Sequence, residues 1–310
     1  ADGLAGDGSL ARGLAGFAFV LEHLGANEDE DQCAELDEIL GAELRAHDEL
    51  AAELMWGLAG RALYARERLA RPTARALFDA AVARILDKGV PQPDGTIAWI
   101  ADERFAGPTP RDAAGQPAGS LSVAHGTPGI VALLACSDDA RAQAAARDGM
   151  RWIWAQRSTD GAGVCPVVAG GPPSAMPGWC YGDEGLATVL LAAARALGDE
   201  AWQARWREAL RRCAGRAPSV ERGLSLCHGA AGMAHLWHRV HQATGEPAFA
   251  AAARGWLDAT LDGLGRAETD GFGLLDGMAG IALALAAFVS DVEPAWDRLF
   301  LLSSLGPARD

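Results

Sequence analysis

Six times in 310 residues, a G-x-x-G frame runs directly into an apolar stretch of helical length. The strings are GLAGFAFVLEHL (13–24), GLAGRALYARERL (57–69), GTPGIVALLA (126–135), GDEGLATVLLAAARAL (182–197), GAAGMAHLWHRV (229–240) and GMAGIALALAAFV (277–289). A weaker GLAG stands at 3–6. First glycines are 44, 69, 56, 47 and 48 residues apart, enough for a helix, a loop, a second helix and a return. The intervening stretches 34–48, 73–88, 138–156, 199–214 and 247–263 are more polar and amphipathic, as in WQARWREALRRC. A helix that is apolar on nearly all sides is buried, whereas an amphipathic one covers it. The expected fold is therefore all-α: an α/α toroid, a double-layered barrel of inner and outer helices. Paired glycines at each inner entrance would let backbones approach closely. In such a ring the entrances fall at one end, beside Gly- and Pro-rich loops at 107–119 and 158–178.

Composition supports this reading. Half the residues are hydrophobic and aromatics make up only 6%, so helix is favoured over strand and a large core can form. No stretch divides the chain, and a single domain over 1–310 is expected. No apolar run reaches the roughly 18–20 residues of a membrane span, and no signal peptide is apparent. Six sparse, irregularly spaced cysteines do not look like a disulfide framework, which favours a reducing cytoplasm. The net charge is −14, most of it in residues 1–50, around NEDEDQ at 27–32. That run reads as a solvated face or as a docking surface for a basic peptide. No basic stripe exists to bind nucleic acid.

Reactive side chains stand just ahead of three frames. They are His125 in AHGTPG, Cys180 and Tyr181 in WCYGDEG, and Cys227 and His228 in CHGAAG. If the entrances share one barrel end, these groups converge. Two thiolates and an imidazole suit zinc, and three protein ligands leave the fourth position that catalytic zinc requires. A lone cysteine in a helical core is usually a small buried hydrophobe; two in the same frame, one beside a histidine, argue otherwise. Cys33, Cys136, Cys165 and Cys213 read as packing residues. His235, His238 and His241 are near one another on one helix but have no carboxylate nearby in sequence, and they read as a solvated or outer face.

The strings SLARGLAGFAFVLEHL, SVAHGTPGIVALLA, WCYGDEG, LCHGAAGMAHL, LLDGMAGIALAL and EPAWDRLFLL together resemble the lanthionine synthetase C-like family, the cyclases of lanthipeptide biosynthesis, and most of all its stand-alone bacterial members. The resemblance covers nearly the whole chain. It implies an α/α toroid and a zinc ion held by Cys180, Cys227 and His228. It implies that a cysteine of a dehydrated precursor peptide adds through sulfur to dehydroalanine or dehydrobutyrine, closing a thioether ring. His125 would be the acid/base, an imidazole being able to move protons near neutrality. Tyr181 would hydrogen-bond a neighbouring group or the enolate oxygen. A lanthipeptide dehydratase and peripheral association with a membrane-bound biosynthetic complex are the partners it implies, for a monomeric chain.

Two positions depart from the family pattern. Met176 stands where relatives commonly carry Arg, four residues before the WCYG cysteine. Glu53 stands where they usually carry Asp, and the carboxylate, one methylene longer, can still orient His125. The loss at 176 implies an altered substrate, a relocated cation or reduced cyclisation. Two alternative functions stand beside this one: a zinc-bearing scaffold for a modified peptide, suggested by the loss at 176, and an enzyme adding glutathione to dehydroamino acids.

Overall fold

The computed structural model describes residues 7–25, 31–100, 119–158, 164–172, 174–265, 271–302 and 305. The GLAG at 3–6, residues 27–30 of the acidic run, and loop positions 107–118, 159–163 and 173 lie outside the described residues.

The chain divides into two compact units. One comprises residues 1–120, 124–155 and 168–170; the other comprises 121–123, 156–167 and 171–310. In the first, the repeat helices are α1 (Leu14–His23), α3 (Leu58–Arg66) and α5 (Thr127–Leu134). The amphipathic ones are α2 (Ala34–Ala46), α4 (Pro72–Asp87) and α6 (Ala140–Ala155). α3 packs on both α1 and α5, and each repeat helix packs on the amphipathic helix that follows it. The second unit repeats this plan. Its inner helices are α7 (Asp183–Ala196), α9 (Ala230–Thr244) and α11 (Met278–Val289), and its outer ones α8 (Glu200–Ala214) and α10 (Pro247–Gly263). A 3₁₀ helix, Ala295–Phe300, follows. The alternation expected from sequence is present in both units. One addition to the all-helical expectation is a two-stranded antiparallel hairpin, Val90–Pro91 with Ile97–Ala98, turned at Gly95 with φ +79°.

The inner helices start on glycine without any side-chain cap. The preceding loop caps them instead. The first helical N–H donates to the carbonyl seven residues earlier: Leu14 to Asp7, Leu58 to Ala51, Thr127 to Ser120, Ala230 to Gly223 and Met278 to Gly271, all at 2.8–3.1 Å. This satisfies a donor that helix geometry leaves unpaired. It also explains the second glycine of the frame. The loop crosses so close to the first turn that a Cβ at Gly16, Gly60, Gly185, Gly232 or Gly280 would overlap the carbonyl oxygen six residues earlier.

Burial follows position in the array. Every residue of α5 is buried, as are all but one of α3 and most of α7 and α9. α1 and α11 depart from the all-round burial expected of repeat helices: Phe17 and Val20 of α1 and Met278 and Val289 of α11 are exposed. Within its own unit, each has a repeat helix on one side only.

Candidate metal centre and its surroundings

In the second unit the loops ahead of the repeats are stitched together by backbone bonds. Val123 N–H donates to Cys180 O at 2.8 Å, Trp179 N–H to Cys227 O at 2.9 Å and Cys227 N–H to Leu275 O at 3.0 Å. The Ser122 hydroxyl adds a second bond to Cys180 O, at 2.8 Å. Buried Trp179 anchors the cysteine beside it, its indole N–H donating to Phe300 O at 3.1 Å with the two rings edge to face. Gly178 has φ +149°, and a Cβ there would press on the Cα and Cβ of His228. Gly178, the residue before WCYGDEG, is thus glycine because the two ligand loops touch at that point.

This stitching brings one atom each of Cys180, Cys227 and His228 within 4.8 Å of one another, the single such group of three among the described residues. Soft sulfur with imidazole nitrogen is a donor set for zinc, whose ligand bonds of about 2.0–2.3 Å fit inside that spacing. The Cys180 thiol is pulled down to about 5, chiefly by a hydrogen bond from Cys227, then by one from His228, with the Tyr181 backbone N–H helping. Cys227 shifts upward chiefly because it hydrogen-bonds Cys180, with burial adding to the shift, and His228 upward because it bonds the same sulfur. A sulfur whose thiol is held low in this way suits a cation as its partner. Half-buried Tyr181 adjoins Cys180 in the chain.

Asp183 and Glu184 open α7 just beyond Cys180, where acids suit the positive end of a helix. Both are buried and share one cation: Arg216 lies 2.5 Å from Asp183 and 2.9 Å from Glu184. Burial nevertheless raises Glu184 to about 7, with Arg216 opposing the shift. Asp183 also accepts the Cys165 backbone N–H at 3.0 Å. The cation these two buried acids share comes from 32 and 33 residues along the chain.

In the first unit, His125 Nδ1 lies 2.7 Å from Glu53 Oε2. Glu53 is 3% exposed and also accepts the backbone N–H groups of Met55 and Trp56, at 3.1 and 2.6 Å. A carboxylate held in this way accepts, which places the proton on Nδ1. The pairing inferred from sequence is present, although 72 residues separate its members.

Position 176 has a structural answer. Arg222, five residues before Cys227, places its guanidinium 2.7 Å from the Met176 sulfur. A cation therefore reaches this place from another loop.

The histidines of α9 correct the sequence reading. His235 is buried, not solvated, and pairs with Asp297 at 3.0 Å. Arg239 lies 2.8 Å from the same carboxylate and 2.5 Å from Glu293. The partners come from the tail, 54 and 62 residues away, and α9 is an inner helix, so local sequence offered no sign of them. Cys33, Cys165 and Cys213 are buried packing residues, as expected, and Cys136 is partly so.

The fold is that of an all-α protein of the α/α-toroid class, and this cluster is a sulfur-and-nitrogen group that could hold a metal. The lanthionine synthetase C-like protein model matches residues 4–301, and the chain belongs to that family. Among solved structures, nisin cyclase is similar with a TM-score of 0.75 and 16% identity, covering 98% of this chain and 82% of that one. That likeness shows a shared fold. No curated protein sequence matches. None of the described helices is long and apolar enough to cross a membrane.

Proposed function

We propose that this chain is a zinc-dependent lanthipeptide cyclase, adding cysteine thiols of a dehydrated precursor peptide to dehydroalanine or dehydrobutyrine to form lanthionine or methyllanthionine rings. The carrying observation is the convergence of Cys180, Cys227 and His228 in loops that family membership ties to this chemistry. The name of its structural neighbour, nisin cyclase, points the same way. These three residues would hold the zinc. When bound, zinc would supply a positive centre that lowers the pKa of a substrate thiol.

The remaining chemistry falls to the chain's own groups. As sulfur bonds to Cβ, the C=C electrons move to Cα and the neighbouring carbonyl, and the thiol proton must reach Cα. His125 is the proton carrier: Glu53 holds its Nδ1–H, so Nε2 takes the proton and delivers it. Tyr181 serves as a hydrogen-bond donor to the enolate oxygen or a neighbouring group. We take residues 1–310 to act as one domain, since the family match runs across both compact units. We further propose a monomer that works with a lanthipeptide dehydratase in the cytoplasm, in peripheral contact with a membrane-bound complex. The scaffold reading was motivated by the missing Arg at 176, and the approach of Arg222 to the Met176 sulfur supports a relocated cation instead.

The test is ring formation on a dehydrated precursor, followed by loss of free thiol and by mass spectrometry. Wild-type protein closes rings, whereas Cys227→Ala and His125→Ala fall by at least about 100-fold. Ring closure at the wild-type rate in both variants would refute the mechanism.

A further inference from the structure

A cavity of about 670 Å³ opens beside His228, and its wall carries Arg212, Arg216, Arg222 and Glu221. These charges are not equivalent. Arg216 is neutralised by Asp183 and Glu184. Arg212, on the last turn of α8, and Arg222, in the loop before Cys227, are exposed, and neither has a carboxylate within ion-pair distance among the described residues. Only Glu221 offsets them, so the wall has surplus positive charge in a chain whose net charge is −14. Arg222 is steadied by the Met176 sulfur at 2.7 Å, and buried Trp256 supplies an apolar surface.

An apolar wall, two unpaired guanidiniums and a metal-ligand histidine at one edge make a receptacle for a short side chain ending in an anion. We propose that this cavity is a specificity subsite for a carboxylate-bearing residue next to the peptide cysteine, held by Arg222 and Arg212. The inference rests on the cyclase reading for the identity of the peptide. It makes the chain selective for acidic residues flanking the ring-forming cysteine.

The experiment compares two short peptides, N-acetylated and C-amidated, each with a cysteine flanked by Glu or by Gln and with no dehydro residue. Binding to the zinc-loaded protein is measured by calorimetry at low and high salt. Two ion pairs in a cavity should favour Glu by about tenfold at low salt. The preference should shrink at high salt. It should be lost in the Arg222→Gln and Arg212→Gln double variant, with each single variant intermediate. Both positions are exposed, so the variants should fold. Equal affinity of wild type for the two peptides, or a Glu preference that survives the double substitution, overturns the subsite. A Glu preference without ring formation on the dehydrated counterpart overturns the cyclase reading and leaves the subsite standing. Ring formation without the preference does the reverse.

Discussion

The centre depends on a few atoms whose roles can be separated. Cys180→Ala removes the sulfur on which both Cys227 and His228 converge. Zinc content measured by inductively coupled plasma mass spectrometry should fall from about one per chain to well under half, with the helical circular dichroism unchanged; retention of stoichiometric zinc would show that the ion sits elsewhere. Glu53→Gln acts differently. It keeps shape and hydrogen bonding but no longer forces the proton onto Nδ1 of His125. Ring closure should slow by about 10–100-fold while zinc content holds, because partners that orient a working histidine are typically worth that much. At this scale the sequence was informative wherever a residue type carried its own chemistry. Cysteines and histidines ahead of glycine frames signal a metal, and the Glu53–His125 pair could be inferred. Arg216 and Arg222 were not readable, since an arginine acquires a meaning only from its neighbours, and theirs lie 32 to 46 residues away.

At the scale of elements, the glycines of the frame make a sharp prediction. In Gly232→Ala the new Cβ would overlap the Leu226 carbonyl, in a loop that must stay where it caps α9. Destabilisation of about 2 kcal/mol or more is expected from denaturant unfolding. Gly41, inside α2, meets nothing closer than the end of the flexible Arg45 side chain. Gly41→Ala should therefore stabilise by about 0.5–1 kcal/mol. If both changes shift stability alike, close approach is not the reason for the frame. Helix positions were legible because the two layers differ in polarity. The loop wrap behind each glycine was not, since backbone-to-backbone capping leaves no trace in side-chain identity. The reading of His235 as solvated failed for a related reason: α9 is a buried inner helix, and the acid that satisfies His235 comes from the tail.

For the whole molecule, acid sensitivity should trace to the buried side of α9. Burial lowers His238 to about 4, and the nearby His235, Arg239 and His241 push the same way. The folded value lies below the ordinary histidine value, so the unfolded chain binds the proton more readily. Stability is therefore full above about pH 6.5 and is lost as pH falls toward 4. The loss is at most about 3 kcal/mol. His238→Leu, which keeps an apolar contact for Phe288, should flatten the dependence of Tm on pH across that window. An unchanged slope would place the sensitivity elsewhere.

All three proposed zinc ligands belong to the second unit, and the last of them is residue 228. During translation every helix of the first unit has left the ribosome before a complete ligand set exists. Metal capture thus follows synthesis of the first unit. Chains made without zinc should therefore load the ion when it is supplied afterwards, without new synthesis.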